Sequence, residues 1–178
     1  LVYAVHSNFT DAMSIDVQIP AYQSYALAAR LSVPLPDQLM WDNSDPYFYT
    51  RRLDSSDPRK IVVGGCDHRT GLGNADDAMK TLESYVRQRY PVESILGCWS
   101  AEFFEPTDGM PLIGQVPGKK NIWIATGLSG VGLTHGTMAG RMIAEQISGA
   151  ATPLAEYFSP ARFSLRDMGS VITEQAKG

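Results

Sequence analysis

The sequence predicts an α+β protein, in which an antiparallel sheet is crossed by one helix and followed by a separate strand, glycine turn and helix. Three observations predict this class: β-prone segments with Asx-Pro and Ser-rich turns over residues 38–65, a capped amphipathic helix over 71–91, and the stretch "ATGLSGVGLTHGTMAGRMIAEQI" over 125–147. The chain has 178 residues, of which 44% are hydrophobic, so it is long enough to bury a core.

The β-prone segments come first along the chain. "LVYAVHS" is typical of an apolar strand, and residues 21–32 mix Tyr, Ala and Leu over a strand-length run that "VPLPDQ" ends with two prolines. "QLMWD", "YFYTRRL" and "KIVVGG" follow, and the turn-forming stretches "NSDP" and "DSSDPR" separate them. This pattern predicts an antiparallel meander.

The helix within residues 71–91 has signals at both ends. Asn74 or Asp76 can cap its start, Arg87 and Arg89 lie in its last turn, and Pro91 ends it. The expected inward-facing stripe consists of Met79, Leu82, Tyr85 and Val86.

The last third of the chain begins with "VESILGCWSAEFFEP", which predicts a long strand. We expect "TDGMPLIGQVPG" to be a turn-rich link and "NIWIATG" to be a short buried strand that leads into the glycine turn.

Composition argues against several partner classes. Charged residues are 19% of the chain, the net charge is −4, and Lys and Arg never cluster beyond a pair, so we expect neither nucleic acid nor an anionic membrane as a partner. No apolar run approaches the roughly 18 to 20 residues of a membrane span. Cys66 and Cys98 form no C-x-x-C motif, which favours a reduced, cytoplasmic setting. Because Leu1 opens within a strand and "FSLRDMGSVITEQAKG" carries no end signal, we expect both ends to be cut from a longer chain.

The glycine turn only partly fits the dinucleotide fingerprint G-x-G-x-x-G. Gly130 and Gly132 fill the first two places, but His135 stands in the third, and no second strand follows to close a βαβ unit. A self-contained Rossmann site or a pyridine-nucleotide enzyme is therefore not expected. The helix N-terminus could instead bind an anionic or carbonyl-rich ligand edge. A second interpretation has the row Gly132, Gly136 and Gly140 packing closely against another helix.

Several motifs together carry a resemblance. "DGMPLIG", "NIWIATGLSGVGLTHGTMAGRMIAEQI", "YFYTRR…KIVVGGCDHRTG" and "WSAEFFEPTDGMPLIG" are similar to the C-terminal part of FAD-dependent oxidoreductases of the D-amino-acid oxidase, glycine oxidase and sarcosine oxidase superfamily. "GGCDHRTG", "THGT" and "PLAEYFSPAR" resemble in particular a bacterial subgroup that often carries a Rieske iron–sulfur domain after the FAD part.

The resemblance implies a division of the chain. Residues 1–20 would be a partial FAD-domain segment, 21–105 the antiparallel substrate or cap domain, and 106–178 the returning strand, glycine turn, helix and tail of the FAD-binding domain. The N-terminal Rossmann unit, which holds the ADP half of FAD in this family, is absent from this sequence. We therefore expect this chain alone to bind FAD weakly or not at all.

The resemblance also implies how the flavin is bound. The returning turn and helix N-terminus touch the flavin ring in the family, so the expected cofactor-binding residues here are Gly127, Leu128, Ser129, Gly130, Val131, Gly132, Leu133 and Thr134. Some relatives bind FAD covalently through a Cys in the Trp-started strand, but the matching place holds Ala101, so we expect noncovalent FAD. Thr134 could cap the helix or reach the carbonyl edge of the ring.

The substrate-binding pattern of the family is incomplete. Many members carry an Arg-Pro where this chain has Phe103 and Phe104, and glycine oxidases use an Arg where it has Gly130. Because a guanidinium can pair with a substrate carboxylate through two hydrogen bonds, these differences put a simple α-amino acid substrate in doubt.

Other residues are candidates for the substrate pocket. Arg51 or Arg52 could supply the missing cation, since strand alternation turns one of them inward, although both could be solvated. Tyr47 and Tyr49 share a face and could line the pocket or pack across strands. With Phe103 these four residues form the expected substrate-binding set.

His135 is the one candidate for a catalytic side chain, as a base or hydrogen-bond partner in the first helical turn; exposure to water is the alternative. We expect no metal site. Cys66 and His68 form a C-x-H, but a Rieske centre also needs a C-x-x-H, which the chain lacks. Asp67 and His68 are expected to organise the turn after the strand.

The expected function of the full-length protein is oxidation of an amine or amino-acid-like substrate by hydride transfer to flavin. Expected partners are that small molecule, the missing N-terminal FAD-binding segment, and a Rieske domain or another electron acceptor. The alternative is a non-catalytic binding or interaction module that kept the same fold.

Overall fold

The computed structural model describes residues 1–6 and 19–162, and it divides the chain into two compact units. The first unit combines residues 1–21 with residues 103–178, and the second unit comprises residues 22–102. The first unit is therefore built from two segments that are distant in the sequence.

The second unit contains a five-stranded sheet in the order β3-β4-β5-β2-β6. Neighbouring strands pair antiparallel from β3 to β4, from β4 to β5 and from β5 to β2. This arrangement confirms the antiparallel sheet that the turn signals predict. The strands are β2 (Ala21–Leu31), β3 (Met40–Trp41), β4 (Phe48–Arg52), β5 (Lys60–Arg69) and β6 (Val92–Phe104).

The crossing helix α1 (Ala75–Arg89) packs on this sheet. Of the two predicted caps, Asn74 is the one used: its side chain accepts hydrogen bonds from the backbone amides of Asp76 and Asp77, at 2.9 and 3.2 Å. Alternate residues of β2 and β5 face the helix and form the core with it, since side chains alternate along a strand. The largest fully buried members of this core are Leu27, Leu31, Ile61, Val63, Leu82 and Val86.

Strand β5 extends further than predicted. Asp67 and His68 lie inside it, so the expectation that they organise a turn is wrong. The register between β2 and β5 shifts between Gln23 and Tyr25, and Cys66 adopts a left-handed φ of 60°, so a bulge carries the strand past its two glycines. The His68 ring stacks on Tyr25, with centroids 5.3 Å apart.

The first unit contains a three-stranded sheet in the order β1-β8-β7, formed by β1 (Val2–Ala4), β7 (Leu112–Gln115) and β8 (Trp123–Thr126). β1 runs parallel to β8, and β7 runs antiparallel to it. The predicted turn-rich link therefore contains a strand. Leu112 and Ile113 are fully buried there. The free energy gained by burying these two side chains outweighs the tendency of the flanking residues to form turns.

A 3-10 turn (Ser129–Val131) follows β8 and leads into α2 (Gly132–Ser148), and a short α3 (Ala155–Phe158) comes later. Helix α2 packs Ala139, Met142 and Ile143 on the sheet. Within residues 1–6 and 19–162, no helix combines the length and the apolar character that a membrane crossing would need.

A clamp in the first unit joins two of the motifs noted in the sequence. The Arg162 guanidinium of "SPAR" donates to both carboxylate oxygens of Asp108 in "DGMP", at 2.8 and 2.9 Å. It also donates to the carbonyls of Met110 and Pro111. A forked pair of this kind fixes direction as well as distance, so the clamp holds the segment after α3 to the turn before β7.

Candidate functional site

The glycine turn begins where β8 ends. Gly127 has a φ of 65°, and a Cβ there would lie 2.6 Å from Cγ of Pro106 and 3.1 Å from Cγ2 of Ile19. Only glycine fits this position, since both the left-handed backbone and the close neighbours exclude a side chain. Ser129 also has a left-handed φ, of 54°. Because Gly127 and Ser129 both adopt left-handed conformations, the chain bends sharply into the helix.

The backbone amides of this turn have no side-chain cap. Leu128 precedes the 3-10 turn and Val131 precedes α2, and neither position makes a side-chain cap hydrogen bond. The prediction that Thr134 caps the helix is wrong, because α2 begins at Gly132 and Thr134 lies inside its first turn. Amides at such a helix start remain available to a ligand.

A cavity of about 650 Å³ lies against the turn, within the first unit. The glycine row of α2 lines it: a Cβ on Gly132 or Gly140 would have no neighbour within 4 Å, and one on Gly136 would meet only Leu128 Cδ1 at 4.0 Å. Within the described part of the chain, the row therefore faces open space and packs against no second helix.

The remaining walls of the cavity come from both segments of the first unit. Val2, Ala4, Val5 and His6 line one side, and Phe103 and Phe104 line another. The His6 ring contacts Phe104 edge-on, with centroids 4.9 Å apart and planes at 79°. The structure thus places the predicted Phe103 at this cavity. It adds His6, which no local sequence signal indicates, because only the pairing of β1 with β8 brings the two segments together.

Ser129 provides a polar group at the same cavity. Its Oγ is buried, and it has no hydrogen-bond partner among the residues that the structure describes. Buried hydroxyl groups are nearly always hydrogen-bonded in folded proteins. The turn therefore offers a bound molecule one unpartnered hydroxyl in addition to its backbone amides.

His135 contacts the turn directly. Its Nδ1 lies 2.9 Å from the carbonyl oxygen of Leu128. Because a carbonyl can only accept, Nδ1 carries the proton in this contact. The imidazole therefore ties the first turn of α2 to the start of the 3-10 turn, which is a positioning role.

The second unit carries the other predicted residues on its sheet. Phe48 stacks on Tyr85 of α1 at 3.9 Å, and Thr50 accepts a hydrogen bond from Tyr90 at 3.1 Å, so this face of β4 points toward the helix. Tyr49 and Arg51 alternate with these residues and lie on the opposite face. Tyr47, whose ring centroid is 6.4 Å from that of Tyr49, lies beside them.

On that opposite face, Tyr49 packs against the neighbouring strand β5. Its ring lies directly over Gly64, where a Cβ would come within 2.1 Å of Tyr49 Cζ. Burial and the nearby charge of Asp67 raise the pKa of Tyr49, while a hydrogen bond with Ser24 and the charge of Arg51 oppose the rise. The Tyr49 side chain is partly buried on this face of the sheet.

The two predicted arginines have different surroundings. Arg52 donates from Nε and Nη2 to the Leu35 carbonyl, at 2.8 and 2.5 Å, and its Nη1 lies 3.9 Å from Asp37. Arg52 thus anchors the loop before β3, and its role in substrate binding stays a prediction. Arg51 is exposed and donates from Nη1 to the Arg52 carbonyl at 2.9 Å. Arg51 remains the candidate cation.

Metal ligation finds no support in the described ranges, where no group of three or more His, Cys, Asp or Glu side chains is arranged to hold an ion. Cys66 is buried in the core, and burial, followed by the charge of Asp67, raises the pKa of its thiol. His68 contacts the Cys66 carbonyl and the Tyr25 hydroxyl, at 3.3 and 3.4 Å.

Residues 6–146 match the DAO family, whose description is FAD dependent oxidoreductase. The chain belongs to this family. The match includes the turn, the cavity-lining segment around Phe103 and the whole second unit, and it confirms the resemblance drawn from the motifs.

Individual relatives of this DAO family chain fit the same assignment. A Bacillus subtilis (strain 168) protein named as a Rieske 2Fe-2S iron-sulfur protein, YhfW, is 27% identical over 145 residues, which cover 80% of this chain and 28% of that protein. Glycine oxidase from Geobacillus kaustophilus superposes with a TM-score of 0.69 at 18% identity, covering 83% of this chain and 40% of that one. L-Proline dehydrogenase from P. horikoshii superposes with a TM-score of 0.65 at 21% identity, covering 83% and 41%.

These superpositions confirm the α+β fold. The DAO family chain spans about 40% of the length of these solved structures. The family implies FAD as cofactor. The residues present fit the ring end of FAD, because the turn combines uncapped amides, the unpartnered Ser129 hydroxyl and a glycine-lined cavity.

Proposed function

We propose that this chain supplies the substrate sheet and the flavin-facing turn of an FAD-dependent oxidoreductase that oxidises an amine or amino-acid-like compound. The observation that carries the proposal is the uncapped turn from Gly127 to Thr134, which opens onto a cavity of about 650 Å³. A volume of this size is typical of small-molecule and cofactor sites. Residues 1–20 and 106–178 would belong to the FAD-binding domain, and residues 21–105 to the substrate domain.

In this proposal, the turn provides electrostatic stabilisation. A bound flavin supplies the hydride-accepting chemistry. The backbone N–H groups from Gly130 to Thr134 would present positive dipole ends to a bound flavin and stabilise the negative charge that develops on its reduction, and the Ser129 hydroxyl could donate beside them. His135 holds the turn in place through the Leu128 carbonyl. Preorganised amides of this kind need no rearrangement during the reaction.

FAD would be bound without a covalent link, because Ala101 offers no nucleophile where a covalent Cys would stand. The row of α2 glycines and the residues after β1 would leave room for the ring. The ADP half would be held by a segment that is not part of these 178 residues, so the chain alone should retain little FAD.

On the substrate side, the proposed contacts are Tyr47, Tyr49, Arg51 and Phe103. Tyr49 and Arg51 share the sheet face opposite α1, and Phe103 lines the cavity at the turn. The names of similar structures include glycine oxidase and L-proline dehydrogenase, both of which refer to amine-containing compounds. An amine or amino-acid-like substrate is the class that these residues and names support.

The relative YhfW carries a Rieske name. We therefore include a Rieske domain in the proposal as the electron acceptor of the full-length protein, with molecular oxygen as the competing acceptor.

The test uses the protein expressed from its complete reading frame. The proposal expects stoichiometric FAD after gel filtration and bleaching of the oxidised flavin band when an amine substrate is added without oxygen. The 178-residue chain alone is expected to lose FAD on the same column. A folded full-length protein without flavin would overturn the proposal and favour the non-catalytic module, and tight FAD binding by the isolated chain would contradict the proposed division of the site.

A pair of variants tests the turn itself. Gly132→Leu directs a side chain into the cavity, where the described structure has no atom within 4 Å of the added Cβ. The matched control is Thr137→Leu, at an exposed position of α2. We expect Gly132→Leu to lower FAD content at least about tenfold without loss of thermal stability, because leucine is the better helix former. Full FAD loading in Gly132→Leu would exclude the cavity as the flavin site.

A further inference from the structure

The turn between β6 and β7 supports the start of the glycine turn. Pro106 is buried, and its ring carbons Cγ and Cδ lie 2.6 and 3.1 Å from the position that a Cβ on Gly127 would occupy. Phe104 lines the cavity, and the amide of Glu105 donates to the Pro20 carbonyl at 3.2 Å. The segment from Phe104 to Pro106 therefore joins the cavity wall to the base of the glycine turn.

Arg162 holds the other end of the same turn. Its guanidinium donates to both carboxylate oxygens of Asp108, at 2.8 and 2.9 Å. It also donates to the carbonyls of Met110 and Pro111. The Arg162 side chain is only 12% exposed, so water competes little for these bonds.

The clamped residues lie between two contacts with the start of the glycine turn. On one side, Pro106 supports Gly127. On the other side, β7 begins at Leu112, which pairs with Thr126, the residue before Gly127. A shift of the clamped residues would therefore move both contacts together, and Arg162 is the side chain that prevents this shift.

We propose that Arg162 is a positioning residue for the flavin: by holding the turn that supports Gly127, it sets the direction of the backbone amides from Gly130 to Thr134. The proposal rests on the proposed function, since it assumes that these amides face a bound flavin. Arg162 is not among the residues that line the cavity, so it acts through the turn and not by touching the cofactor. Hydrogen bonds weaken steeply as their angle departs from linearity, so a small rotation of the turn is enough to matter.

The shape of the guanidinium separates geometry from charge. Arginine presents five N–H donors in a rigid fork that matches a carboxylate, whereas lysine carries the same charge at a single point. A lysine at position 162 cannot satisfy the Asp108 carboxylate and two backbone carbonyls in the same directions. Arg162→Lys therefore keeps the charge and loses the positioning.

The experiment uses the full-length protein, stripped of FAD for binding titrations and loaded with FAD for measurement of the reduction potential. Arg162→Lys and Arg162→Gly are compared with Arg141→Lys and Arg141→Gly. Arg141 is a matched control in the same unit, because its Nε lies 2.8 Å from a Glu145 carboxylate oxygen but its side chain is 80% exposed. Circular dichroism sets a temperature at which every variant is folded.

Both Arg162 variants should weaken FAD binding by about tenfold or more, the loss expected when one hydrogen bond to a charged group is misdirected. They should also lower the reduction potential of the bound flavin, because misdirected amides stabilise its added negative charge less well. The Arg141 variants should stay within about twofold of the wild type in affinity and keep its potential.

Free guanidinium ion distinguishes positioning from a general loss of stability. Arg162→Gly leaves a gap beside Asp108 that the ion can enter, so guanidinium chloride below denaturing concentrations should restore its FAD affinity. Sodium chloride at the same ionic strength should not, and Arg162→Lys should not respond, because the lysine side chain fills the gap. A protein that is merely destabilised would lose affinity in guanidinium, which favours unfolding.

The outcomes separate the two proposals. If the wild type holds FAD and both Arg162 variants bind it equally well, this inference is overturned and the proposed function stands. Equal losses in the Arg141 variants, or no rescue of Arg162→Gly by guanidinium, would also overturn it. If Arg162→Gly does not fold, Arg162→Lys decides alone, and an unchanged reduction potential in that variant rejects the positioning role. If the full-length protein carries no flavin, the proposed function fails first, and the inference fails with it.

Discussion

Replacing Gly127 by alanine should lower the free energy of unfolding of the first unit. The size of this loss can be worked out from the atoms around Gly127. A side chain in the left-handed region costs about 1–2 kcal/mol, and the stiffer unfolded chain returns about 0.4–1 kcal/mol. At Gly127 the new Cβ would also lie 2.6 Å from Cγ of Pro106, and overpacking of this kind adds about 1–3 kcal/mol. We therefore expect Gly127→Ala to cost about 2–4 kcal/mol.

Gly149→Ala is the matched control for this prediction. Gly149 has a similar φ of 73°, but a Cβ there would meet no atom within 4 Å, so only the backbone term of about 1 kcal/mol applies. Urea unfolding followed by circular dichroism gives both free energies of unfolding, and the two melting temperatures should differ by about 4–8 °C. Equal destabilisation by the two substitutions would refute the packing of Gly127 against Pro106.

Three further predictions follow from single contacts. His135→Ala removes the donor to the Leu128 carbonyl and should lower the free energy of unfolding by about 0.5–1.5 kcal/mol, measured in urea; no change would contradict a role in holding the turn. Leu82→Ala empties a fully buried site of the second unit and should cost about 2–5 kcal/mol by the same method, whereas a cost near zero would mean that α1 does not pack as described. Burial is the largest single influence on Asp108 and opposes its ionisation, but the hydrogen bonds from Arg162 and from the backbone, together with the charge of Arg162, outweigh it, so the pKa of this carboxyl lies below its ordinary value of 3.8. The contribution of the clamp to stability is therefore fully present above pH 3.8 and is lost as the pH falls through the lowered pKa of Asp108. The difference in urea midpoint between the wild type and Asp108→Asn should therefore shrink on acidification. A difference that does not depend on pH would refute the pairing of Asp108 with Arg162.

Elements with local signals were predictable from the sequence. Helix α1 has its cap at Asn74 and ends before Pro91, and both signals lie within the segment itself. The glycine turn is signalled locally only at Gly127, because the left-handed φ of Ser129 is not one that serine favours. In such segments, residues that are adjacent in the sequence determine the backbone conformation.

Features that depend on distant pairing were missed or misassigned. β7 follows from the pairing of Leu112 with Thr126 and from burial, which outweigh the turn residues around it. His6 reaches the cavity only because β1 lies beside β8. Asp67 reaches its face of the sheet through a bulge that depends on the register with β2. No local periodicity encodes these contacts.

The pairing of Val2 with Trp123 has a consequence for synthesis on the ribosome. β1 leaves the exit tunnel before the second unit, yet the strand that completes its hydrogen bonds is translated only after that whole unit. A domain whose residues are contiguous can fold while translation continues. The five-stranded sheet of the second unit should therefore form first, and the glycine turn should take shape only after β8 has been translated.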